Sequence, residues 1–405
     1  MRSFIAKNFR WLFGGFLLTF FSSFGQTFFI GLSGEELRSK YSLTDGEFGL
    51  MYMVATLGSA ATLPFLGRTL DFMPGRRVVL FVIPALAAAC ILLAYAPTFL
   101  LALFALYLLR LFGQGMMTHT ALTEVGRWFA AGRGRATSLV VPGHQAGEAV
   151  LPVTFIVLSA AVGWQGAWLI AAGFLLLVAL PGIAALIATE RVPSSDEGAG
   201  AIDRTARDWT RAEVVRDPFF YALLMGTLAP PFIGTTVFFH QDYLVELRGY
   251  DPLAFAGAFP VMALTTIVFA LVCGHLIDRF GAIRLLPFFL LPLVIASAVA
   301  GLLTPVWGIY LFMLLLGVSY GFTSTLFGAL WPEIYGVRNL GGIRAIIVSA
   351  MVFATALGPG LTGYLIDLGV ELPIQLLWMA GWCVVATIIL AFAAGPLARR
   401  AALQT

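Results

Sequence analysis

The stretch Gly274-His-Leu-Ile-Asp278-Arg279-Phe-Gly281-Ala-Ile-Arg284 ends a hydrophobic run, and it recurs 207 residues earlier as Gly67-Arg-Thr-Leu-Asp71-Phe-Met-Pro-Gly75-Arg76-Arg77. In both copies an aspartate follows the first glycine by four residues, and basic residues come next. A repeat of this period in an apolar chain is typical of membrane folds assembled from duplicated helical units. The sequence therefore predicts two related halves.

The composition places the chain in the membrane. Sixty per cent of its residues are hydrophobic and 11% are charged, whereas soluble domains carry about 25% charged residues. A membrane-spanning helix needs about 20 mainly apolar residues. We predict an all-α integral membrane protein with twelve spans, at about residues 11–32, 46–66, 78–96, 98–121, 136–159, 166–188, 217–240, 252–273, 285–303, 306–328, 342–365 and 373–395.

The distribution of basic residues predicts the orientation. With these spans, 20 of the 24 Lys and Arg fall in the termini, alternate loops and one polar segment, and only Arg38, Lys40 and Arg248 fall on the other side. By the positive-inside rule both termini are cytoplasmic. The net charge of +3 thus reflects topology and gives no indication of a nucleic-acid partner.

The polar segment 189–216 divides the chain into a six-helix bundle at 1–188, a cytoplasmic linker, and a second bundle at 217–405. The three cysteines fall inside predicted helices, and no spacing of His, Cys or acidic residues indicates a metal or cofactor. We expect a multi-pass monomer of the inner or plasma membrane.

The duplicated stretch resembles the loop between the second and third helices of the major facilitator superfamily, with its pattern Gly-x-Leu-Ala-Asp-Arg-x-Gly-Arg-Lys. The second copy fits almost position by position, whereas Pro74 is an extra residue in the first copy and predicts a wider turn there. The run Arg110-Leu-Phe-Gly113-Gln114-Gly115 resembles the Arg-x-x-Gly-x-Gly motif of the fourth helix. The resemblance implies a secondary transporter that works by alternating access.

Two further stretches narrow the resemblance. Thr118-His119-Thr-Ala-Leu-Thr-Glu-Val-Gly-Arg127-Trp-Phe and Trp331-Pro-Glu333-Ile-Tyr-Gly336-Val-Arg338 look like the bacterial branch related to monocarboxylate and oxalate/formate transporters. Members of that branch often carry basic residues deep in the eighth and eleventh helices. Here the eighth span has none, and Arg344 lies at the mouth of the eleventh.

Arg110 lies about 12 residues into the fourth span, which at about 1.5 Å per residue places it near the middle of the bilayer. Its guanidinium stays charged. Two roles are open: it binds an anionic substrate, or it serves as a structural or proton-coupling cation.

His144 and Glu148 stand four residues apart on the fifth span and therefore share one helix face. A histidine titrates near neutral pH, and beside a carboxylic acid it forms a candidate proton-coupling pair. The alternative is a structural salt bridge between Glu148 and Arg110.

Other polar side chains at bilayer depth are candidates to line a substrate cavity, because each is costly there and needs a reason. They are Gln26, Gln114, His119, His240 and Tyr320. We also expect Pro230 and Pro231 to break the seventh helix near its centre, because each removes a backbone donor.

Charged residues at the cytoplasmic ends form a predicted gate in each half. The resemblance implies that such clusters latch the two halves together while the cavity faces outward. The gate residues are Asp71, Arg76, Arg77, Glu124 and Arg127 in the first half, and Asp278, Arg279, Glu333 and Arg338 in the second.

Three classes of function are compatible with these features. The first is proton-coupled transport of a small organic anion, favoured by Arg110 and the titratable pair. The second is proton-coupled export of drug-like or lipophilic metabolites, favoured by the 35 phenylalanines. A membrane-embedded enzyme or a receptor is a remote third, with His119 and Glu124 as its only candidate pair.

Overall fold

The computed structural model describes residues 2–129, 133–189, 191, 209–336 and 339–402. Within these ranges the chain is helical and contains no strand, which confirms the all-α fold. The contacts divide it into two compact units, one up to residue 201 and the other from residue 202 onward. Of the predicted linker, residues 190 and 192–208 lie outside the described ranges.

The described residues of the first unit form eleven α-helices. They are α1 Arg2–Phe21, α2 Thr27–Ile30, α3 Gly34–Tyr41, α4 Asp45–Gly67, α5 Thr69–Phe72, α6 Gly75–Tyr95, α7 Phe99–Leu108, α8 Thr118–Trp128, α9 Arg133–Val140, α10 Pro142–Phe174 and α11 Leu180–Leu186. Two 3-10 turns, Ser22–Gly25 and Gly31–Ser33, follow α1 and α2, and π-helical segments Leu109–Met117 and Leu175–Ala179 join α7 to α8 and α10 to α11.

Ten α-helices lie in the described part of the second unit. They are α12 Arg211–Arg216, α13 Pro218–Phe239, α14 Gln241–Arg248, α15 Pro252–Ala256, α16 Phe259–Phe280, α17 Ala282–Leu285, α18 Leu291–Leu302, α19 Trp307–Tyr335, α20 Leu340–Asp367 and α21 Leu372–Ala402.

Nine helices of the described chain are long and apolar enough to cross a membrane, and ten if the bent segment from Phe4 to Tyr41 counts as one span. The fifth and sixth predicted spans fall in one continuous 52-residue stretch, Arg135–Leu186. Within it Gly163 has φ 76° and interrupts the helix. The ninth predicted span corresponds to α18, which has only 12 residues.

The internal repeat extends well beyond the duplicated loop. Ser33 and His240, 207 residues apart, have similar backbone angles and precede α3 and α14. Each of these two helices ends on a left-handed residue, Ser42 or Gly249, again 207 residues apart. The two units also share a packing scheme. In the first unit α1 packs on α10, α4 on α7 and α6 on α10, and in the second unit α13 packs on α20, α16 on α19 and α18 on α21 in the same order.

The two copies of the duplicated loop differ as the extra proline predicts. In the first copy Met73 and Pro74 are both extended before α6 begins. In the second, α16 continues to Phe280, and Gly281 alone reverses the chain with φ 82°. A positive φ of this size is accessible to glycine at little cost.

The expected break at Pro230 and Pro231 is wrong. Helix α13 runs unbroken from Pro218 to Phe239, with both prolines inside it. The fixed φ of proline is itself helical, and transmembrane helices tolerate the lost donors when neighbouring helices pack around them. The helix instead ends at His240.

Each unit has a clasp that ties the start of its first long helix to the C-terminal end of the unit, at Arg191 beyond α11 and at Arg400 near the end of α21. In the first unit Arg191 donates from Nε to Oδ1 of Asn8 at 2.9 Å. In the second, Arg400 donates from Nη1 to Oδ2 of Asp217 at 2.8 Å. Asp217 and Arg400 stand 209 residues after Asn8 and Arg191, respectively, so the clasp is part of the repeat. Asp217 also accepts a hydrogen bond from the Tyr335 hydroxyl.

The clasp of the second unit is expected to stabilise it strongly. Asp217 is 6% exposed, so replacing it by alanine leaves Arg400 without its carboxylate and Tyr335 without its acceptor. We expect Asp217→Ala to cost about 3 kcal/mol, the usual order for breaking a buried pair, measured as a lower melting temperature in detergent.

The matched control is Asp278→Ala, because Asp278 is exposed and forms no ion pair within the described residues. This control should melt close to the wild type. Equal melting temperatures for the two variants would show that the clasp contributes nothing.

Candidate functional site

The first helix is broken in the middle of the first unit. After the 3-10 turn Ser22–Gly25, Gln26 is extended with φ −86° and ψ 154°, and α2 begins at Thr27. An extended residue inside a helix frees backbone groups that the regular helix would bond, and these need other partners in a membrane. The break therefore offers backbone acceptors at a depth where acceptors are scarce.

Arg110 occupies this break. Its side chain is 1% exposed, and Nη1 donates to the Gly25 carbonyl at 3.1 Å and to Thr27 Oγ1 at 3.5 Å. The guanidinium lies over the ring of Tyr52, 5.2 Å from its centre, and the Tyr52 hydroxyl is 2.5 Å from Thr27 Oγ1. A carbonyl, a hydroxyl and an aromatic face thus surround the charge.

Arg110 has no carboxylate partner within the described residues. Its Nε makes no hydrogen bond there, and both of its bonds come from Nη1. The edge formed by Nε and Nη2 therefore makes no hydrogen bond within the described residues. That edge carries two parallel N–H groups, the geometry that binds a carboxylate in bidentate fashion.

Close approach of two backbones makes this arrangement possible. A Cβ added at Gly25 would lie 2.0 Å from the Leu109 carbonyl oxygen and 2.8 Å from Gly113 Cα. Leu109 and Gly113 belong to the π-helical segment Leu109–Met117. The broken helix and the π-helical segment therefore touch through glycines, as is usual where membrane helices approach closely.

The titratable pair lies on the other helix that packs against the same break. His144 Nε2 is 3.4 Å from Glu148 Oε1, and the Glu148 side chain is 6% exposed. The His144 ring lies 6.2 Å from the ring of Phe28. A Cβ added at Gly147, between them in sequence, would lie 2.1 Å from Ser23 Oγ. Glu148 pairs with His144 and not with Arg110, so the predicted alternative of a bridge between Glu148 and Arg110 is not what the structure contains.

The remaining candidates of the first unit divide into two groups. Gln26 and Gln114 lie at the break itself, since Gln26 is its extended residue and the Gln114 backbone nitrogen is 2.8 Å from a Cβ added at Gly25. His119 lies elsewhere. It is exposed, and its Nε2 is 2.9 Å from a Cβ added at Gly67, the first residue of the duplicated loop.

In the second unit the predicted residues lie around the end of α13. His240 is 2% exposed, and its Nε2 is 3.0 Å from the Pro359 carbonyl oxygen of α20. The Tyr320 hydroxyl is 1.8 Å from a Cβ added at Gly234, so this glycine makes room for the phenol. Both polar groups thus lie against or at the end of α13, Tyr320 at Gly234 and His240 at the residue where the helix ends.

Part of the predicted gate is assembled in the first unit. Arg127 bridges two carboxylates, with Nη2 3.4 Å from Asp71 Oδ1 and Nη1 3.2 Å from Glu124 Oε1. Glu124 is 3% exposed, and its carboxyl carbon lies 2.6 Å from a Cβ added at Gly75. Arg76 and Arg77 line the cleft beside Glu124.

The corresponding residues of the second unit are more dispersed. Asp278 and Arg279 are exposed, and the Arg279 guanidinium lies over the ring of Phe280. Glu333 lies beside the backbone of Ala282, as Glu124 lies beside Gly75. Arg338 lies outside the described residues.

Three residues of these sites were missed from the sequence. Thr27 and Tyr52 contact or surround Arg110, and Arg191 lines the cleft of Asp71, Glu124 and Arg127. The clasp offered a signal for Arg191, because its copy Arg400 stands 209 residues later. Thr27 and Tyr52 have no such signal, since small and aromatic residues are common in all spans.

Duplicated helical units and a buried, incompletely bonded guanidinium at a broken helix define a membrane carrier. The chain belongs to the major facilitator superfamily, whose family model matches residues 15–359. It is accordingly a multi-pass membrane transporter of small molecules, and not an enzyme. No curated protein sequence matches it.

Two crystal structures of a bacterial homologue of the human lysosomal transporter Spinster have a similar fold. The inward-facing, unoccupied form has a TM-score of 0.68 and 15% identity, and the match covers 96% of each chain. The inward-facing, occupied form has a TM-score of 0.66 and 16% identity, and the match covers 100% of this chain and 97% of the other. At these identities the likeness shows the fold alone.

The glycine contact at the break predicts a sensitive position. Gly25→Ala places a methyl group 2.0 Å from a backbone oxygen, and backbone on both sides cannot move aside easily. We expect a loss of about 3 kcal/mol, at the upper end for overpacking, seen as a lower melting temperature in detergent. Gly173→Ala is the control, because a Cβ there meets nothing within 4 Å. A Gly25→Ala protein as stable as this control would contradict the close contact.

Proposed function

We propose that the protein is a proton-coupled symporter of a small organic anion of the monocarboxylate type. The observation that carries the proposal is Arg110, a guanidinium that is 1% exposed and has no carboxylate partner in the described chain. A buried charge without an opposite charge is costly. A substrate carboxylate would supply the missing partner.

The free edge of Arg110 fits this substrate class. Nη1 holds the guanidinium on the Gly25 carbonyl and Thr27, which leaves Nε and Nη2 for a bidentate contact with a carboxylate. Gln26 and Gln114 lie at the same break and are proposed to bind other polar groups of the substrate. Tyr320 and His240 are proposed to do so from the second unit, and His119 is retained as a further candidate.

Coupling to protons is proposed to run through the broken helix. Arg110 holds Gly25, while Gly147 touches Ser23 and His144 contacts Phe28, so both groups act on the segment from Ser23 to Phe28. A carboxylate that draws Arg110 away would loosen this segment and change the surroundings of His144 and Glu148. Proton uptake by the pair would then follow substrate binding.

The finer topology belongs to the same proposal. We propose twelve spans with both termini in the cytoplasm, bundles at 1–188 and 217–405, a linker at 189–216, and a monomer in the inner or plasma membrane. The cluster of Asp71, Glu124 and Arg127, together with its counterpart in the second unit, is proposed to form the cytoplasmic gate of alternating access.

The Arg110 proposal predicts a charge-selective binding defect. Arg110→Lys keeps the charge but lacks the planar pair of donors. We expect it to weaken lactate binding by about 2 kcal/mol, roughly 30-fold, the order of one charge-assisted hydrogen bond. Binding is measured by thermal shift in detergent with lactate and with lactamide, its uncharged analogue. Lactamide should bind neither protein measurably, and equal responses of both proteins to lactate would contradict the role of Arg110.

The Glu148 proposal predicts loss of coupling without loss of transport. Glu148→Gln keeps the size of the side chain and mimics the protonated acid, so a packing residue would tolerate it. In liposomes we expect the variant to exchange lactate across the membrane at a rate within about twofold of the wild type, yet not to accumulate it along a pH gradient. Accumulation at the wild-type level would show that the pair is structural.

A further inference from the structure

A groove runs along the surface of the first unit, where α1 packs beside the end of α10, the π-helical segment Leu175–Ala179 and α11. Its volume is about 660 Å³. Its lining residues are Arg10, Phe13, Leu17, Phe21, Phe174, Val178, Ala179, Gly182, Ala185 and Leu186. None of them belongs to the sites described above.

The groove is apolar except at one end. There Arg10 donates from Nε to the Leu186 carbonyl at 2.8 Å and from Nη2 to the Ala185 carbonyl at 3.1 Å. Its Nη1 makes no hydrogen bond within the described chain. The guanidinium is therefore fixed in place, and Nη1 still has N–H groups that can donate. It lies at one end of the groove, which is otherwise lined by aromatic and aliphatic side chains.

The dimensions match one leaflet of a bilayer. Arg10 and Phe21 lie at the two ends of the stretch of α1 that lines the groove, 11 residues apart. At about 1.5 Å per residue this is about 16 Å, which is about half of a hydrocarbon core of roughly 30 Å.

We propose that this groove is a binding site for one acidic phospholipid, with an acyl chain along α1 and the phosphate group on Arg10. The charge of Arg10 selects an anionic headgroup, because basic residues near a membrane surface attract acidic lipids. The apolar walls, which include Phe13 and Phe174, take the chain. Gly182 leaves room in the groove, since a Cβ added there meets nothing within 4 Å.

This lipid is distinct from the transported molecule. The groove shares no residue with the break around Arg110, and α11 and α1 are held together at its mouth by the two carbonyl bonds of Arg10. A lipid bound there would add a second contact between the same helices. The site therefore stabilises the first unit independently of transport.

The test is native mass spectrometry of the full-length protein, released from micelles that contain equal amounts of phosphatidylglycerol and phosphatidylcholine. The wild type should retain one phosphatidylglycerol about fivefold more often than phosphatidylcholine, the preference expected from one basic residue. Arg10→Gln should bring this ratio close to one. Gly182→Leu adds bulk to the groove at a position where an added Cβ meets nothing within 4 Å, and it should reduce retention of both lipids.

Two controls separate the groove from general effects. Gly173→Leu adds the same bulk where a Cβ also meets open space but outside the groove, and it should retain lipid as the wild type does. Lys7→Gln removes an exposed charge one turn from Arg10 and should leave the ratio above about threefold. The proposal is overturned if Gly182→Leu retains as much lipid as the wild type, if Gly173→Leu loses as much as Gly182→Leu, or if Lys7→Gln lowers the ratio as far as Arg10→Gln.

Discussion

The burial of the Arg110 charge is the constraint on which the rest of the first unit depends. A guanidinium deep in a membrane protein needs hydrogen-bond acceptors, and a regular helix offers none because its carbonyls are already bonded. The break at Gln26 supplies the Gly25 carbonyl. Gly25 and Gly113 then bring the two backbones into contact, so the broken helix, the π-helical segment and the charge form one unit of structure.

The same break distinguishes the two halves of the repeat. The segment from Asn8 to Ser33 in the first unit is two residues longer than the corresponding segment from Asp217 to His240 in the second. In the second unit α13 is continuous up to His240, which contacts a carbonyl of α20. The two units thus share their frame, and the two additional residues of the first unit fall in the stretch that contains the break at Gln26.

Much of the frame could be predicted from the sequence, because the duplicated loop and the apolar runs reflect the bilayer and the repeat. The effect of Pro230 and Pro231 could not, since tertiary packing decides whether a helix tolerates lost donors. The break at Gln26 was also missed, because no proline marks it and its serines and glycine are common in packed spans. The contact of His119 with Gly67 of the duplicated loop had no signal in the sequence, because it depends on how two helices pack.

The central proposal is that a substrate carboxylate binds the Nε–Nη2 edge of Arg110, draws Nη1 off the Gly25 carbonyl and so controls the broken helix. Amide hydrogen exchange of the peptides covering residues 23–30 tests it most directly, because the turn there should open more often once Gly25 loses its donor. The account predicts faster exchange in this segment with saturating lactate and no change with lactamide. Unchanged exchange with lactate, or an equal change with both compounds, would contradict it.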